Sequence, residues 1–301
     1  MPRERRAWFR PLVVMGAIAA LATAGCGGGR SAPQRLAGRA PHRPAASSIQ
    51  RRRALGVRGV VPASVPVLGF HEIRNPPPGA RYPELYLDPA KFARIVSWLR
   101  QRGFQAVTLE RVIRAWRGRA TLPERPVVLT FDDGYASVYR FAFPVLQRLH
   151  WPGVLNLELA ELHSPDGLRP PEVRALYSAG WEIASHTLTH PDLTQASAPQ
   201  LRHELVGSRR LISRLFGVQA SDFCYPAGRF DRRVERAVAA AGYRAAQTEL
   251  PGLAARSDDP LALRRIMIRR DEPLATVFSL LSRVRGAALS AAPVVRTAPG
   301  R

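Results

Sequence analysis

Val127-Val128-Leu129-Thr130-Phe131-Asp132-Asp133-Gly134 is an apolar run that stops at two adjacent carboxylates and a glycine. The run has the length of a buried strand, and Asp-Asp-Gly supplies turn chemistry to end it. Its neighbours set the fold. Val65 to Ile73, Phe104 to Leu109, Val154 to Leu159, Trp181 to Ser185, Phe223 to Tyr225, Tyr243 to Gln247 and Arg265 to Ile268 also read as strands. Amphipathic stretches separate them. Asp88-Pro89 opens one with an N-cap and a first-turn proline; Phe92, Ile95, Val96 and Leu99 share a face, and Gly103 closes it. Glu110 to Trp116, Tyr135 to Leu149, Pro171 to Ser178, Ala198 to Phe216 and Arg232 to Ala241 follow as helices. Strands alternating with such helices form parallel βα units. Seven to eight units close into a TIM-like (β/α) barrel, whose chemistry sits at the C-terminal ends of the strands.

Asp132 and Asp133 meet that condition, although an Asp pair in a turn is often only a helix cap. His186-Thr187-Leu188-Thr189-His190 follows the strand Ile183-Ala184-Ser185, and a turn of helical pitch there puts both imidazoles on one side. Two histidines and a carboxylate are a familiar catalytic zinc set with a fourth position for water. Phe223-Cys224-Tyr225-Pro226-Ala227-Gly228 is a third strand running into a turn, with Asp231 placed to cap the next helix. His71, in Val67-Leu68-Gly69-Phe70-His71-Glu72, ends a fourth apolar strand. Taken alone it reads equally well as a core histidine satisfied by backbone.

The formal charge of +22 invites a nucleic-acid reading, but about half of it lies in the first sixty residues, where twelve arginines face only Glu4. Elsewhere arginines do not alternate with aromatics as in a single-strand binding groove, so no nucleic-acid partner is expected. Arg3, Arg5, Arg6 and Arg10, the apolar run Leu12 to Ala24 and the small residues up to Gly25-Cys26 form a tripartite export signal. The apolar run falls short of the roughly 20 residues a membrane span needs. Leu21-Ala22-Thr23-Ala24-Gly25-Cys26 resembles a bacterial lipobox, with Thr23 where leucine is usual, making Cys26 the candidate lipidation site; an ordinary cleaved signal or an uncleaved anchor are the other readings. The expected organisation is a signal peptide at 1–26, a Gly/Ser/Pro/Arg-rich spacer at 27–62 without apolar periodicity, one catalytic domain at 63–285 and a flexible tail at 286–301. The spacer arginines suit anionic headgroups and would reinforce a single lipid chain. No obligate protein partner is expected.

Taken together, Thr-Phe-Asp-Asp-Gly at 130–134 and His-Thr-Leu-Thr-His at 186–190, with Gly180-Trp181-Glu182-Ile183 leading into the latter, resemble the polysaccharide deacetylase, or NodB-homology, family of carbohydrate esterases. The resemblance runs from about Val65 to Ile268. It implies a distorted (β/α) barrel, a divalent metal ion (zinc, or else cobalt or nickel) on Asp133, His186 and His190, and Asp132 as general base. Two departures stand out. Cys224 occupies the position of an arginine that orients the base, and Leu261 to Arg270 lacks the histidine that supplies the general acid. Phe-His-Glu at 70–72, Cys-Tyr-Pro-Ala-Gly at 224–228 and Arg-Arg-Ile at 264–266 resemble the branch of exported poly-N-acetylglucosamine deacetylases, which implies His71 as the acid. What orients Asp132 stays open on this reading. The resemblance also implies the backbone N–H of Tyr135 as an oxyanion donor, and Tyr225, Pro226 and Gly228 as parts of the substrate pocket; Tyr225 reads equally as a barrel-rim aromatic. The expected activity is removal of N-acetyl groups from an extracellular or cell-wall polysaccharide. The alternative is a non-catalytic carbohydrate-binding lipoprotein of the same fold. Poly-N-acetylglucosamine, peptidoglycan and chitin-like oligomers all present the same acetamide.

Overall fold

Seven of the apolar runs form one closed parallel ring in the computed structural model, which describes residues 61–284. In chain order the strands are β1 (Ser64–Val65), β2 (Val67–Phe70), β3 (Gln105–Ala106), β4 (Pro126–Phe131), β5 (Val154–Leu157), β6 (Glu182–Ser185), β7 (Asp222–Cys224), β8 (Ala245–Pro251), β9 (Ala254–Ala255) and β10 (Leu263–Met267). The ring runs β2, β10, β8, β7, β6, β5, β4 and closes where Val67 to Phe70 pair with Val128 to Phe131. The helices are α1 (Pro89–Gln101), α2 (Leu109–Trp116), α3 (Phe143–Gln147), α4 (Pro170–Ser178), α5 (Ala198–Phe216), α6 (Arg232–Ala240) and α7 (Leu274–Ser282). No described helix is long and apolar enough to cross a membrane.

Local chemistry starts and stops these helices, at α1 and α6 with the N-caps the sequence suggests. Asp88 accepts the Lys91 N–H at the head of α1, and Asp231 accepts that of Val234 at the head of α6. Ser197 and Gln200 form a reciprocal capping box on α5, which ends at left-handed Gly217. Three expectations change. Phe104 to Leu109 yields only the two-residue β3, bonded to the start of β4 outside the ring, because Thr108 turns to cap α2. The helix expected over Tyr135 to Leu149 is a π-helical turn at Val138–Ala142 followed by the short α3, with Pro144 near the junction removing one donor. The antiparallel pair β1–β9 and the helix α7 have no counterpart in the sequence reading.

Alternation along the strands sorts side chains into two layers. Val67, Val128, Val154, Ala184, Ala245 and Leu263, one from each of six ring strands, pack in a single cluster inside the barrel. Their neighbours Leu68, Leu129, Leu155, Ile183, Ala246 and Ile266 belong to the larger core between ring and helices. There Phe70 meets Phe92 of α1 at 5.3 Å, and Phe131 stacks on Trp181 at 5.1 Å; each buried aromatic of this kind contributes roughly 1.5–3 kcal/mol. Two residues beyond each inner position the parity brings Gly69, Thr130, Asn156, His186, Gln247 and Arg265 inward, and two further brings His71 and Asp132. The interior thus turns from apolar to polar toward the C-terminal rim.

Candidate active site

Asp133, Thr187, His190 and Ala227 account for four of the five non-glycine residues with positive φ among the described residues, at 71°, 73°, 53° and 51°. Each such conformation costs on the order of 1–3 kcal/mol and persists only where its surroundings hold it. Three of the four shape the loops around a single point. The two histidines do meet, with ring centroids 4.8 Å apart, but through a left-handed turn at Thr187 rather than one of helical pitch. Thr187 Oγ1 accepts the His190 N–H, while the buried Glu204 carboxylate of α5 accepts from the N–H groups of Leu188 and Thr189 and from Thr189 Oγ1. Glu204 was not singled out from sequence, where it is one more acid on a helix.

His186 Nδ1 lies 2.8 Å from the Cys224 carbonyl, which can only accept, so Nδ1 carries the proton and the lone pair of Nε2 is free. Nε2 points at Asp133 Oδ1, 3.4 Å away, and His190 Nε2 lies 3.7 Å from the same oxygen. That oxygen is buried and accepts no hydrogen bond. Burial raises the Asp133 carboxyl, but His186 and then His71 outweigh it and hold the group below its ordinary value. Burial lowers His186 in turn, yet Cys224 and Asp133 draw it upward, whereas burial and His186 leave His190 below its ordinary value. These residues fit a divalent ion: an orphaned buried carboxylate oxygen faces two imidazole nitrogens, and donors bound tetrahedrally at about 2.1 Å stand roughly 3.4 Å apart. Asp132, His186 and Cys224 form a second close donor set, but the Asp132 oxygens are already engaged.

Asp132 is 1% exposed and surrounded by donors. Arg265, reaching inward from β10, places Nη1 2.8 Å from Oδ1 and Nη2 2.8 Å from Oδ2; its Nε donates to the Thr248 carbonyl and Nη1 also to Thr130 Oγ1. Burial alone would raise the Asp132 carboxyl, but the guanidinium, followed by His71, holds it far below the usual carboxylate range. Cys224 is too short and carries no charge: its Sγ stays 3.9 Å from Oδ2. The cation on this aspartate therefore comes from the last ring strand, within the Arg-Arg-Ile segment. His71 Nε2, at the end of β2, stands 3.7 Å from the same Oδ2, so strand ends β2, β4 and β6 bring His71, the two aspartates and both histidines to one rim. His150, His163 and His203 lie in a loop, a 3-10 turn and α5.

The Tyr135 N–H makes no hydrogen bond among the described residues, although its neighbours Gly134 and Ala136 bond to Leu168 and Asp166. Tyr225 is fully buried, stacked on Phe230 at 4.9 Å with its hydroxyl donating to the Leu261 carbonyl, so protein covers its ring. Pro226 is buried in the turn. Gly228, at φ 65°, lies against Glu249, where a Cβ would collide with that residue's backbone nitrogen. Glu158, one residue past β5, is a rim carboxyl that the sequence reading passed over; burial and the nearby Asp133 push it up to about 7. Cys26 lies outside the described residues.

The sequence profile of the polysaccharide deacetylase family matches residues 119–246. The chain is 27% identical over 207 residues to Bacillus subtilis YxkH, which bears the name of a polysaccharide deacetylase, covering 69% of this chain and 72% of that one. A 58-residue stretch is 52% identical to the poly-beta-1,6-N-acetyl-D-glucosamine N-deacetylase of Escherichia coli, 19% of this chain but only 9% of that protein. The fold is shared with the Streptococcus pyogenes deacetylase PplD, at a TM-score of 0.68 and 24% identity over 73% of this chain and 99% of that one. The profile spans Asp132, Asp133, His186 and His190, the same strand-end residues that converge here, and over residues 119–246 the chain is similar to the polysaccharide deacetylase family.

Proposed function

We propose that this chain removes N-acetyl groups from N-acetylglucosamine-containing polysaccharide outside the cytoplasm, using one divalent ion, zinc or else cobalt or nickel, on Asp133, His186 and His190. The observation that carries the reading is the orphaned Asp133 Oδ1 facing two imidazole nitrogens, with Asp132 and His71 beside it. An ion held there would activate water and polarise the acetyl carbonyl. Asp132, kept ionised by Arg265, offers Oδ2 as proton acceptor while water attacks. The Tyr135 N–H is free to donate to the developing oxyanion. His71, within reach of Oδ2, gives the leaving amine the proton that its expulsion requires. Arg265 takes the orienting role left vacant at Cys224. That removes the main ground for a non-catalytic binding protein, the apparent loss of base and acid support.

Export and membrane attachment rest on the N-terminal signal pattern and Cys26, with the spacer arginines favouring anionic headgroups. The test is acetate release by the metal-loaded chain from oligomers of poly-β-1,6-N-acetylglucosamine, peptidoglycan and chitin, beside metal content. One ion per chain and acetate from at least one polymer are expected, with Asp133→Ala losing both. A metal-loaded protein that releases acetate from none of the three would overturn the reading.

A further inference from the structure

Two amides face each other inside the barrel across the polar layer. Asn156 Nδ2 donates to Asp132 Oδ1 at 2.7 Å and to Gln247 Oε1 at 3.2 Å, while Gln247 Nε2 donates back to Asn156 Oδ1 at 3.0 Å. Both residues are fully buried, so neither touches substrate. The orientation of the pair is dictated, because an ionised Asp132 only accepts. Asn156 must turn its amino group to the carboxylate and its carbonyl to Gln247, which must then turn its own amino group to Asn156.

The consequence appears at the two oxygens of Asp132. Oδ1 takes Arg265 Nη1 and Asn156 Nδ2, which uses both its lone pairs. Oδ2 takes Arg265 Nη2 alone among strong donors and keeps a lone pair on the side of His71. Arg265 cannot make this distinction by itself, since its fork engages the two oxygens alike. We propose that the Asn156–Gln247 amide pair is a positioning device that ties up Oδ1 and dedicates Oδ2 to proton transfer. Asn156 acts on Asp132 directly, and Gln247 acts through Asn156. The inference rests on the proposed hydrolysis and on Asp132 as its base.

The pair is tested with Asn156→Leu, Gln247→Leu and the double variant, using steady-state acetate release, metal content and thermal unfolding. Asn156→Leu should lower kcat by about 10- to 100-fold, the span of one hydrogen bond to a charged group, with KM and metal content unchanged. Gln247→Leu should lower it less, and the double variant should be no slower than Asn156→Leu, because one residue works through the other. If a single variant does not fold for want of a partner to its stranded amide, the double variant carries the test, since it is apolar and leaves no orphan. Wild-type kcat in Asn156→Leu or in the double variant, additive losses, or a loss that tracks metal or KM would each overturn the proposal and make the pair a structural filler. The underlying reading fails differently, by absence of acetate release from the metal-loaded wild type.

Discussion

Replacing Arg265 with methionine strands the Asp132 carboxylate in an interior where it is 1% exposed. Four hydrogen bonds from the guanidinium disappear, two to Asp132, one to Thr130 and one to the Thr248 carbonyl. Removing one partner of such a buried pair costs about 3–5 kcal/mol. In a domain of this size each kcal/mol lowers Tm by roughly 2–4 °C, so a fall of about 6–20 °C is expected at neutral pH. The pH dependence separates stranded charge from lost packing. In the wild type the Asp132 carboxyl is depressed, so the stability it contributes is complete above the unfolded value of about 3.9 and is lost only as pH falls through the folded value. Without Arg265, burial dominates and the carboxyl moves up. Its penalty is then largest at high pH and shrinks as acid returns the proton. Thermal unfolding of metal-free protein at pH 5 and pH 8 should therefore show a larger deficit at pH 8, and Asp132→Asn should restore stability to the Arg265→Met chain. An equal deficit at both pH values, with no relief from Asp132→Asn, would refute the reasoning.

His71→Ala should lower kcat by about 10²- to 10⁴-fold with metal content intact; near-normal turnover in the folded, metal-loaded variant would point to another proton donor. A second electrostatic test lies at the opposite end of the barrel, where Glu182 and Asp222 begin adjacent strands with Glu182 Oε1 and Asp222 Oδ2 both buried and unpartnered. Burial, then the proximity of the two acids, raises the Glu182 carboxyl well above its ordinary value, and burial raises Asp222. A raised acid contributes stability at low pH and loses it as pH climbs through the folded value. Glu182→Gln, which can still accept the Glu110 N–H held by Glu182 Oε2, should have a higher Tm than the wild type at pH 8 and a narrower advantage at pH 5; a lower Tm at pH 8 would count against a buried, raised Glu182 carboxyl.

Much of the architecture is legible because each level of the sequence repeats the same message. Apolar runs, capping residues and glycine stops agree on where strands and helices lie, and each of the clusters Asp132-Asp133, His186 to His190 and His71 falls just past a ring strand. What failed locally did so where a neighbouring need won: Thr108 shortened β3 in order to cap α2, and the chain after Gly134 became a π-helical turn instead of a continuous helix. Tyr225 was ambiguous for a different reason. An aromatic after a strand looks the same from sequence whether it faces sugar or Leu261, and only the position of that carbonyl decides it.

Arg265 was hidden by distance, being 133 positions from its partner, and by the habit of reading an arginine on a strand as solvent-facing. Yet a signal was present. Leu263, Arg265 and Met267 alternate with Arg264, Ile266 and Ile268, so if Leu263 points into the barrel then Arg265 must as well. A guanidinium cannot lose its proton there, and burying it alone is prohibitive. An inward arginine on a barrel strand therefore demands a carboxylate on the facing wall, and inward parity on β4 offers only Asp132. The same reasoning places Asn156 and Gln247, inward amides on β5 and β8, in one network with them. Parity applied to polar residues, rather than to apolar ones alone, is what turns an apparently missing arginine at Cys224 into one supplied by another strand.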